Sequence, residues 1–191
     1  MNSEVELFSD VETLVREERP RHPVYCIYPH IYRDAAMEFL NGFPGRVLYA
    51  VKSNPDPTVL GLLSDAGVRH FDCASLAEIE IVDTVVSNAK KYFMTPVRIR
   101  GDAETAQKKH DVRHFVVDHL SGLSQLLTEI EPDRSVIFAR MAVHHESAFE
   151  DLSTRFGAPP EQVPELLGAI RDSGAEAALA FNVGSSVTDP E

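Results

Sequence analysis

The sequence predicts an α/β fold, specifically an incomplete (β/α)8 barrel of the TIM type with about six of its eight strand-helix units. From residue 46 onward, short runs rich in Val, Phe and Ala alternate with segments of helical length. Several of those segments begin with a capping residue, and the series is shorter than a full barrel needs. Repetition of strand then helix indicates parallel strands joined by right-handed crossovers.

Residues 1–45 form a lead-in that we predict as helix, strand and helix. Ser9 and Glu12 have the spacing of a capping box, and apolar residues recur on one face after them, so a helix is expected to begin there. A compact apolar run over 23–28 predicts a strand, and the helical spacing of apolar residues over 32–40 predicts a second helix.

Residues 46–191 supply the barrel itself. The strands are predicted at 46–51, 70–73, 92–95, 114–118, 136–141 and 177–183. The helices between them are predicted at 57–66, 76–86, 102–109, 120–130 and 160–172. Asp56 before Pro57, and Ser75 three residues before Glu78, mark two of these helix starts. The polar segment 144–160 is predicted to be a surface loop.

A doubly wound open sheet is the other architecture that suits this alternation. A dinucleotide-binding sheet has a Gly-rich turn after its first strand, whereas Lys-Ser-Asn-Pro follows here, and the sequence has no Walker-type phosphate loop. A full barrel typically needs about 250 residues, so the 191 residues here favour a partial barrel.

The last three residues are typical of the cap and first turn of a new helix. Asp189, Pro190 and Glu191 suit the N-cap, N1 and N2 positions. The chain therefore stops where a helix is expected to begin, and we expect it to be the N-terminal part of a longer protein.

The charge and composition of the chain limit its partners. Lys and Arg number 18 against 30 Asp and Glu, and the formal net charge of −12 argues against nonspecific binding to nucleic acid or to an anionic membrane. No apolar run approaches the ~18 residues of a membrane span, and the start of the chain is acidic, so a cytoplasmic protein is expected. Cys26 and Cys73 lie in apolar segments and are predicted to be buried, with no disulfide and no metal site.

Lys52 is the first candidate for chemistry because it follows the apolar run that ends the strand predicted at 46–51. The carboxyl ends of parallel strands form the active-site edge of α/β folds. A lysine held there among apolar residues such as Leu48 and Ala50 can have its ammonium pKa lowered, and the neutral amine then attacks an aldehyde. The alternative is a lysine whose stem lies along the strand end with its charge in water.

Four short strings occur along the chain: Tyr-Ala-Val-Lys-Ser-Asn at 49–54, Phe-Asp-Cys-Ala-Ser at 71–75 with Glu78 after it, Phe-Gly-Ala at 156–158 and Val-Gly-Ser at 183–185. Together they resemble the pyridoxal-phosphate barrel of the ornithine decarboxylase family. The resemblance covers nearly the whole chain from Pro23. It implies an alanine-racemase-like barrel, pyridoxal 5'-phosphate as cofactor, and a C-terminal β-domain that is absent from these 191 residues.

The resemblance also implies roles for individual residues. Lys52 matches the lysine that binds the cofactor covalently and later moves protons, so it is the predicted catalytic residue. Asp72 and Glu78 match acidic residues of the cofactor pocket, where carboxylates near a lysine would tune its protonation. For Glu78, a capping box with Ser75 is the alternative explanation.

Further cofactor contacts are implied near the ends of the last two strands. Arg140 matches an arginine beside the cofactor, with a surface ion pair as its alternative role. Ser185 and the Gly184 amide match contacts to the cofactor phosphate. Asn182 stands where the family usually has a histidine that stacks on the cofactor ring, and an amide offers no aromatic face, which predicts reduced activity or altered reaction specificity. Ser186 stands where many members have Gly, a mild change unless that backbone needs a positive φ.

The implied function is pyridoxal-phosphate-dependent decarboxylation of a basic amino acid by the complete protein, with ornithine favoured over lysine, arginine or diaminopimelate, as in polyamine biosynthesis. The family's Gly-rich phosphate loop and the acidic partner of the pyridine nitrogen lie beyond this chain, so the isolated chain is expected to be inactive or nearly so. A homodimer of the complete protein is also implied. Two alternatives stay open: an amino-acid racemase on the same barrel, and a non-catalytic interaction module that kept the barrel and lost turnover.

Overall fold

A computed structural model describes residues 7–189. Within these residues, six strands form one sheet in the order β1-β2-β3-β4-β5-β6, each parallel to the next. The strands are β1 Leu48–Ala50, β2 His70–Cys73, β3 Lys90–Phe93, β4 His114–Val117, β5 Val136–Ala142 and β6 Glu176–Asn182. The helices are α1 Val11–Glu18, α2 Pro29–Gly42, α3 Pro57–Asp65, α4 Leu76–Val85, α5 Asp102–His110, α6 Leu120–Leu127 and α7 Val163–Asp172. Short 3-10 turns occur at Val51–Ser53, Pro132–Arg134 and Pro160–Gln162.

The sheet curls into a half-barrel, which confirms the predicted fold class. Phe71, Phe93, Phe115 and Ile137 lie on the outward face of β2 to β5, are fully buried, and share one apolar cluster with residues of the surrounding helices. Because neighbouring side chains of a strand point to opposite faces, the residues between them, such as Asp72, lie on the inner face. The packing thus fixes which polar residues face the barrel interior.

Two of the predicted helix starts are confirmed by their caps. The Asp56 carboxylate accepts the Thr58 amide at 2.8 Å and begins α3. The Ser75 hydroxyl accepts the Glu78 amide at 3.3 Å and begins α4. Each cap satisfies an amide that has no partner within its own helix, so the helix begins at a defined residue directly after the active-site edge of the sheet.

The first helix starts differently from its prediction. Asp10 caps α1, because its carboxylate accepts the Thr13 amide at 2.7 Å and its backbone is extended. Ser9 instead places its hydroxyl against the side chains of Asp10 and Thr13. The predicted capping role of Ser9 was therefore wrong by one residue.

The strand predicted at 23–28 is absent from the described structure. Its residues have no pairing partner in the sheet, and Tyr25 is 97% exposed, since an apolar run becomes a strand only where a neighbour accepts its backbone hydrogen bonds. Cys26 lies in the same segment and is exposed, so its predicted burial was wrong. Cys73, in β2, is buried as predicted.

The segment between β5 and the turn Pro160–Gln162 contains the predicted surface loop. We call residues 143–159 the mouth loop. It is tied to the sheet by single bridges between Met141 and Ala158 and between Glu150 and Ser185.

The helix expected to start after Asp189 involves Pro190 and Glu191, which lie outside the described residues. Over 7–189, none of the helices combines the length and the apolar character that crossing a bilayer requires.

Candidate active site

The carboxyl ends of the strands bring three predicted site residues into one electrostatic group. Lys52 follows β1, Asp72 lies in β2, and Arg140 lies in β5. Lys52 and Arg140 both act electrostatically on the Asp72 carboxyl group. The strands that carry or precede these residues are parallel, so their carboxyl ends meet at one edge, which explains why the two cations act on the same carboxyl group.

Lys52 lies on a turn beyond the strand. β1 ends at Ala50, and Lys52 is in the 3-10 turn Val51–Ser53, where the Ser53 hydroxyl donates to the Ala50 carbonyl at 2.7 Å. The expectation of a lysine held among apolar residues such as Leu48 and Ala50 was therefore wrong, because Lys52 lies beyond the strand and its side chain is exposed. A primary amine is thus presented at the active-site edge, open to an incoming molecule.

Asp72 is a half-buried carboxyl group with a raised pKa. Burial is the main cause, because it disfavours the charged form, and the nearby Glu78 carboxylate raises the pKa of Asp72 further. Lys52 and Arg140 act in the opposite direction. The charges of Lys52, Glu78 and Arg140 therefore all act on the Asp72 carboxyl group.

Glu78 has the capping role that the sequence offered as an alternative, and its charge also reaches Asp72. One of its carboxylate oxygens accepts the Ala74 amide at 2.8 Å, while its own amide donates to Ser75, which is the reciprocal arrangement of a capping box shifted by one residue. Its charge also acts on Asp72. The same carboxylate therefore fixes the start of α4 and contributes to the field of the site.

Arg140 is held by groups that were given no role at the sequence level. Its guanidinium carbon lies 4.9 Å from the centre of the Phe156 ring. Burial lowers the pKa of Arg140, and the carboxylates of Asp118 and Asp72 counter that effect, Asp118 more strongly. Asp118 also accepts the Gly157 amide at 3.2 Å. The signal for Asp118 was its position at the end of a predicted strand, the same signal that selected Lys52.

The residues after β6 are tied to the mouth loop. The Asn182 side-chain oxygen accepts the Gly184 amide at 2.7 Å, so this amide, expected as a phosphate donor, is already engaged. The Ser185 backbone pairs with Phe149 and Glu150, which leaves the Ser185 hydroxyl as the group available to a phosphate. Ser186 has a φ of 51°, a left-handed conformation that suits Gly better. The backbone at this position therefore does need a positive φ, which is the condition under which Ser in place of Gly is more than a mild change.

The donor set suits an aldehyde cofactor that carries a phosphate. Lys52 supplies an exposed primary amine, Asp72 and Arg140 supply opposite charges, and Ser185 supplies a hydroxyl. A primary amine is the group that captures an aldehyde, and a hydroxyl is a suitable phosphate donor. In the part of the chain that the structure covers, 7–189, there is no group of three His, Cys, Asp or Glu residues that could hold a metal ion.

A lysine, a carboxylate and an arginine at the carboxyl edge of a parallel α/β half-barrel define a candidate cofactor-binding barrel of an enzyme. Comparison with known proteins specifies its family: residues 30–191 match the pyridoxal binding domain of the pyridoxal-dependent decarboxylases, and the chain belongs to this family. The predicted family is thereby confirmed, and pyridoxal phosphate is the cofactor of its domain.

Individual relatives agree with this assignment. The lysine/ornithine decarboxylase of Selenomonas ruminantium is 37% identical over 141 residues, which are 73% of this chain and 35% of that protein. A crystal structure of the arginine decarboxylase of Paramecium bursaria Chlorella virus superimposes with a TM-score of 0.86 at 27% identity, over 94% of this chain and 48% of that one. The ornithine decarboxylase of Saccharomyces cerevisiae is 34% identical over 74% of this chain and 30% of its own length. The chain thus spans about a third of the curated relatives and about half of the solved structure.

Proposed function

We propose that the complete protein decarboxylates a basic amino acid, with ornithine favoured, and that Lys52 binds pyridoxal 5'-phosphate. The observation that carries this proposal is the grouping of Lys52, Asp72 and Arg140 at one edge of a barrel that belongs to the pyridoxal-dependent decarboxylases. Elsewhere on the described surface, lysines such as Lys108 are paired with carboxylates on helices away from this edge.

Each residue has a proposed task that follows from its chemistry. Lys52 would hold the cofactor through its Nζ amine, and the same amine could carry a proton to or from the substrate α-carbon. Pyridoxal 5'-phosphate would supply, when bound, the electron-withdrawing group that allows the bond between the α-carbon and the substrate carboxylate to break with release of carbon dioxide. Asp72 and Glu78 place carboxylates beside Lys52, and Lys52 and Arg140 partly counter the effect of burial on the pKa of Asp72. The Ser185 hydroxyl binds the phosphate.

The preference for a cationic substrate is supported by the relatives and by charge. The relatives include a lysine/ornithine decarboxylase and ornithine decarboxylases, and the viral arginine decarboxylase was solved with agmatine bound. A formal charge of −12 favours the approach of a cationic amino acid. Ornithine before lysine is our choice among these substrates.

Two further expectations concern the protein as a whole. We propose that the chain alone turns over slowly or not at all, and that the complete protein is a cytoplasmic homodimer. Analytical ultracentrifugation of the complete protein tests the dimer, and cell fractionation tests the location. A complete protein that is a fully active monomer would contradict the dimer, and full turnover by the isolated chain would contradict the first expectation.

Carbon dioxide release from ornithine, lysine and arginine by the complete protein tests the reaction. Decarboxylation is expected in the wild type and absent in Lys52→Ala, while Lys108→Ala, which removes an exposed lysine paired with Glu104, stays active. Inversion of the α-carbon without release of carbon dioxide would identify a racemase and overturn the proposal.

A non-catalytic module is the second candidate, and Asn182 is the observation that favours it. Its side chain is turned back onto the Gly184 amide and offers no ring face to a cofactor. The two candidates separate in the complete protein: if Asn182→His raises activity, the site is an enzyme site with a reduced rate. If wild type and Asn182→His both lack turnover with all three substrates, the non-catalytic module is supported.

A further inference from the structure

We propose that Asp118 is a positioning residue, which holds the Arg140 guanidinium group between itself and Asp72 and anchors the mouth loop over the active-site edge. Its importance for the cofactor site rests on the function proposed above, whereas its effect on Arg140 and on the loop does not. No motif of the sequence marks it.

The register of the sheet places Asp118 beside Arg140. In the pairing of β4 with β5, Val116 lies opposite Phe138 and Val117 lies opposite Ala139. Asp118 follows Val117 as Arg140 follows Ala139, so the two residues are neighbours at the carboxyl edge. The Asp118 carboxylate is half-buried, and it is the strongest of the charges that counter the burial of the Arg140 guanidinium.

The mouth loop is joined to the same carboxylate. The Gly157 amide donates to an oxygen of Asp118 at 3.2 Å. The backbone continues this connection along β5 on either side of Met141, because the Ala158 amide donates to the Arg140 carbonyl at 2.7 Å and the Ala142 amide donates to the Ala158 carbonyl at 2.9 Å. Asp118 is therefore the side-chain member of a set of hydrogen bonds that fixes the end of the loop to the strand.

Gly157 is the residue that makes this contact possible. Its φ is 100°, and a Cβ atom at this position would lie 2.5 Å from the Ala142 amide nitrogen. The close approach brings Phe156 directly over Arg140, with 4.9 Å between the ring centre and the guanidinium carbon. Arg140 thus lies against an aromatic face, and the carboxylate that anchors the next residue of the loop counters its burial.

A second arginine completes the surroundings of Asp118. Arg98 donates to the carbonyl groups of Thr95 at 2.6 Å and Val116 at 2.7 Å. Burial lowers the pKa of Arg98, while Glu129 and Asp118 act against it. The negative charge of a carboxylate between two partly buried guanidinium groups is compensated on both sides, which favours one fixed position of that carboxylate.

The position of the Arg140 guanidinium group between two carboxylates has a measurable consequence for the pKa of Asp72. The charged groups that act on Asp72 are Lys52, Glu78 and Arg140. If Asp118 loses its charge, the Arg140 guanidinium group is no longer drawn towards it and can move closer to Asp72, which favours the anionic form of Asp72. The pKa of Asp72 must then fall, although Asp72 itself and its burial are unchanged.

Carbon-13 NMR titration of the Asp72 carboxyl group in the chain without cofactor tests this inference. We expect Asp118→Asn to lower the pKa of Asp72 by about 0.5 to 1 pH unit and Arg140→Gln to raise it. Asp133→Asn, which removes an exposed carboxylate from the turn Pro132–Arg134, is the control and leaves it unchanged. In the double variant Asp118→Asn/Arg140→Gln, the effect of Asp118→Asn shrinks, since its route through Arg140 is gone.

Amide hydrogen exchange at Gly157 tests the anchoring separately. Asp118→Asn keeps an acceptor oxygen and is expected to keep the protection, whereas Asp118→Ala loses it several-fold. If Asp118→Asn does not fold, Asp118→Ser, which also removes the charge, is measured in its place, and the same fall in the pKa of Asp72 is expected. The inference is overturned if Asp72 titrates identically in wild type and Asp118→Asn while Arg140→Gln moves it. Failure of Lys52 to bind the cofactor would leave all of these results untouched.

Discussion

Arg140 lies against the face of Phe156, with its guanidinium carbon 4.9 Å from the ring centre, although the two residues are on different elements. Arg140 belongs to β5, and Phe156 belongs to the mouth loop that returns to the same strand. This contact connects the mouth loop to the active-site edge, because a cation over an aromatic face is attracted by the ring quadrupole.

Replacement of Phe156 by Ala is expected to destabilise the chain by about 2 kcal/mol, since a half-buried ring and its contact with the guanidinium group are both lost. Urea unfolding followed by circular dichroism measures the change. Phe149→Ala is the matched control, because the ring of Phe149 is 89% exposed, and we expect it to change the stability by less than about 0.5 kcal/mol. Equal losses for both variants would show that the Arg140 contact has no special weight.

Replacement of Gly157 by Ala is expected to cost about 2 to 4 kcal/mol and to release the end of the mouth loop. The new Cβ would lie 2.5 Å from a backbone nitrogen, and the φ of 100° is strained for any L-residue. Gly168→Ala is the matched control: it lies inside α7 with nothing within 4 Å of the added Cβ, so a gain of about 0.5 to 1 kcal/mol is expected. Thermal unfolding compares the two, and a stabilised Gly157→Ala protein would contradict the structure of the loop.

His114 is expected to make the chain less stable as the pH falls from about 6.5 towards 4. Burial is the main cause that lowers the pKa of His114 to about 4, and the charges of Arg46 and other basic groups add to it. Between pH 6.5 and pH 4 the unfolded chain takes up a proton at His114 and the folded chain does not. Protonation therefore stabilises the unfolded state and lowers the free energy of unfolding. The loss is complete near pH 4 and amounts to about 1 to 2 kcal/mol, because the ring is only half-buried and solvent screening reduces the full value.

Urea unfolding at a series of pH values, for wild type and His114→Phe, measures this loss. Phe keeps an aromatic ring against Tyr92, whose ring centre lies 4.0 Å from that of His114, but it cannot take up a proton. We expect a shallower decline in the variant, whereas His22→Gln, a change at an exposed histidine, should follow the wild-type curve. Parallel curves for wild type and His114→Phe would assign the pH dependence to other groups.

The parts of the fold that depend on local pattern could be predicted. The alternation of apolar runs and helical segments identified all six strands of the sheet because Phe71, Phe93 and Phe115 lie in runs that a sheet can bury. The run at 23–28 has the same composition but no neighbour to pair with, which a local pattern cannot show. The predicted burial of Cys26 was wrong for the same reason.

The parts of the site that depend on contacts across strands could not be predicted from the sequence. Lys52, Asp72 and Arg140 were selected at strand ends and by resemblance, and the structure brings them together. The role of Asp118 depends on the register between β4 and β5 and on the return of the mouth loop, which no spacing in the sequence encodes. The turn that carries Lys52 was missed because one short apolar run continues from the strand into the turn.

The central claim is that Lys52 is the residue that binds the cofactor, and covalent trapping measures it most directly. The complete protein is incubated with pyridoxal 5'-phosphate, reduced with borohydride and digested, and mass spectrometry locates the added pyridoxyl group. We expect the group on the peptide that contains Lys52, with loss of the visible absorbance on reduction, and no specific label in Lys52→Ala. A stoichiometric label on another lysine, with Lys52 unmodified, would contradict the assignment.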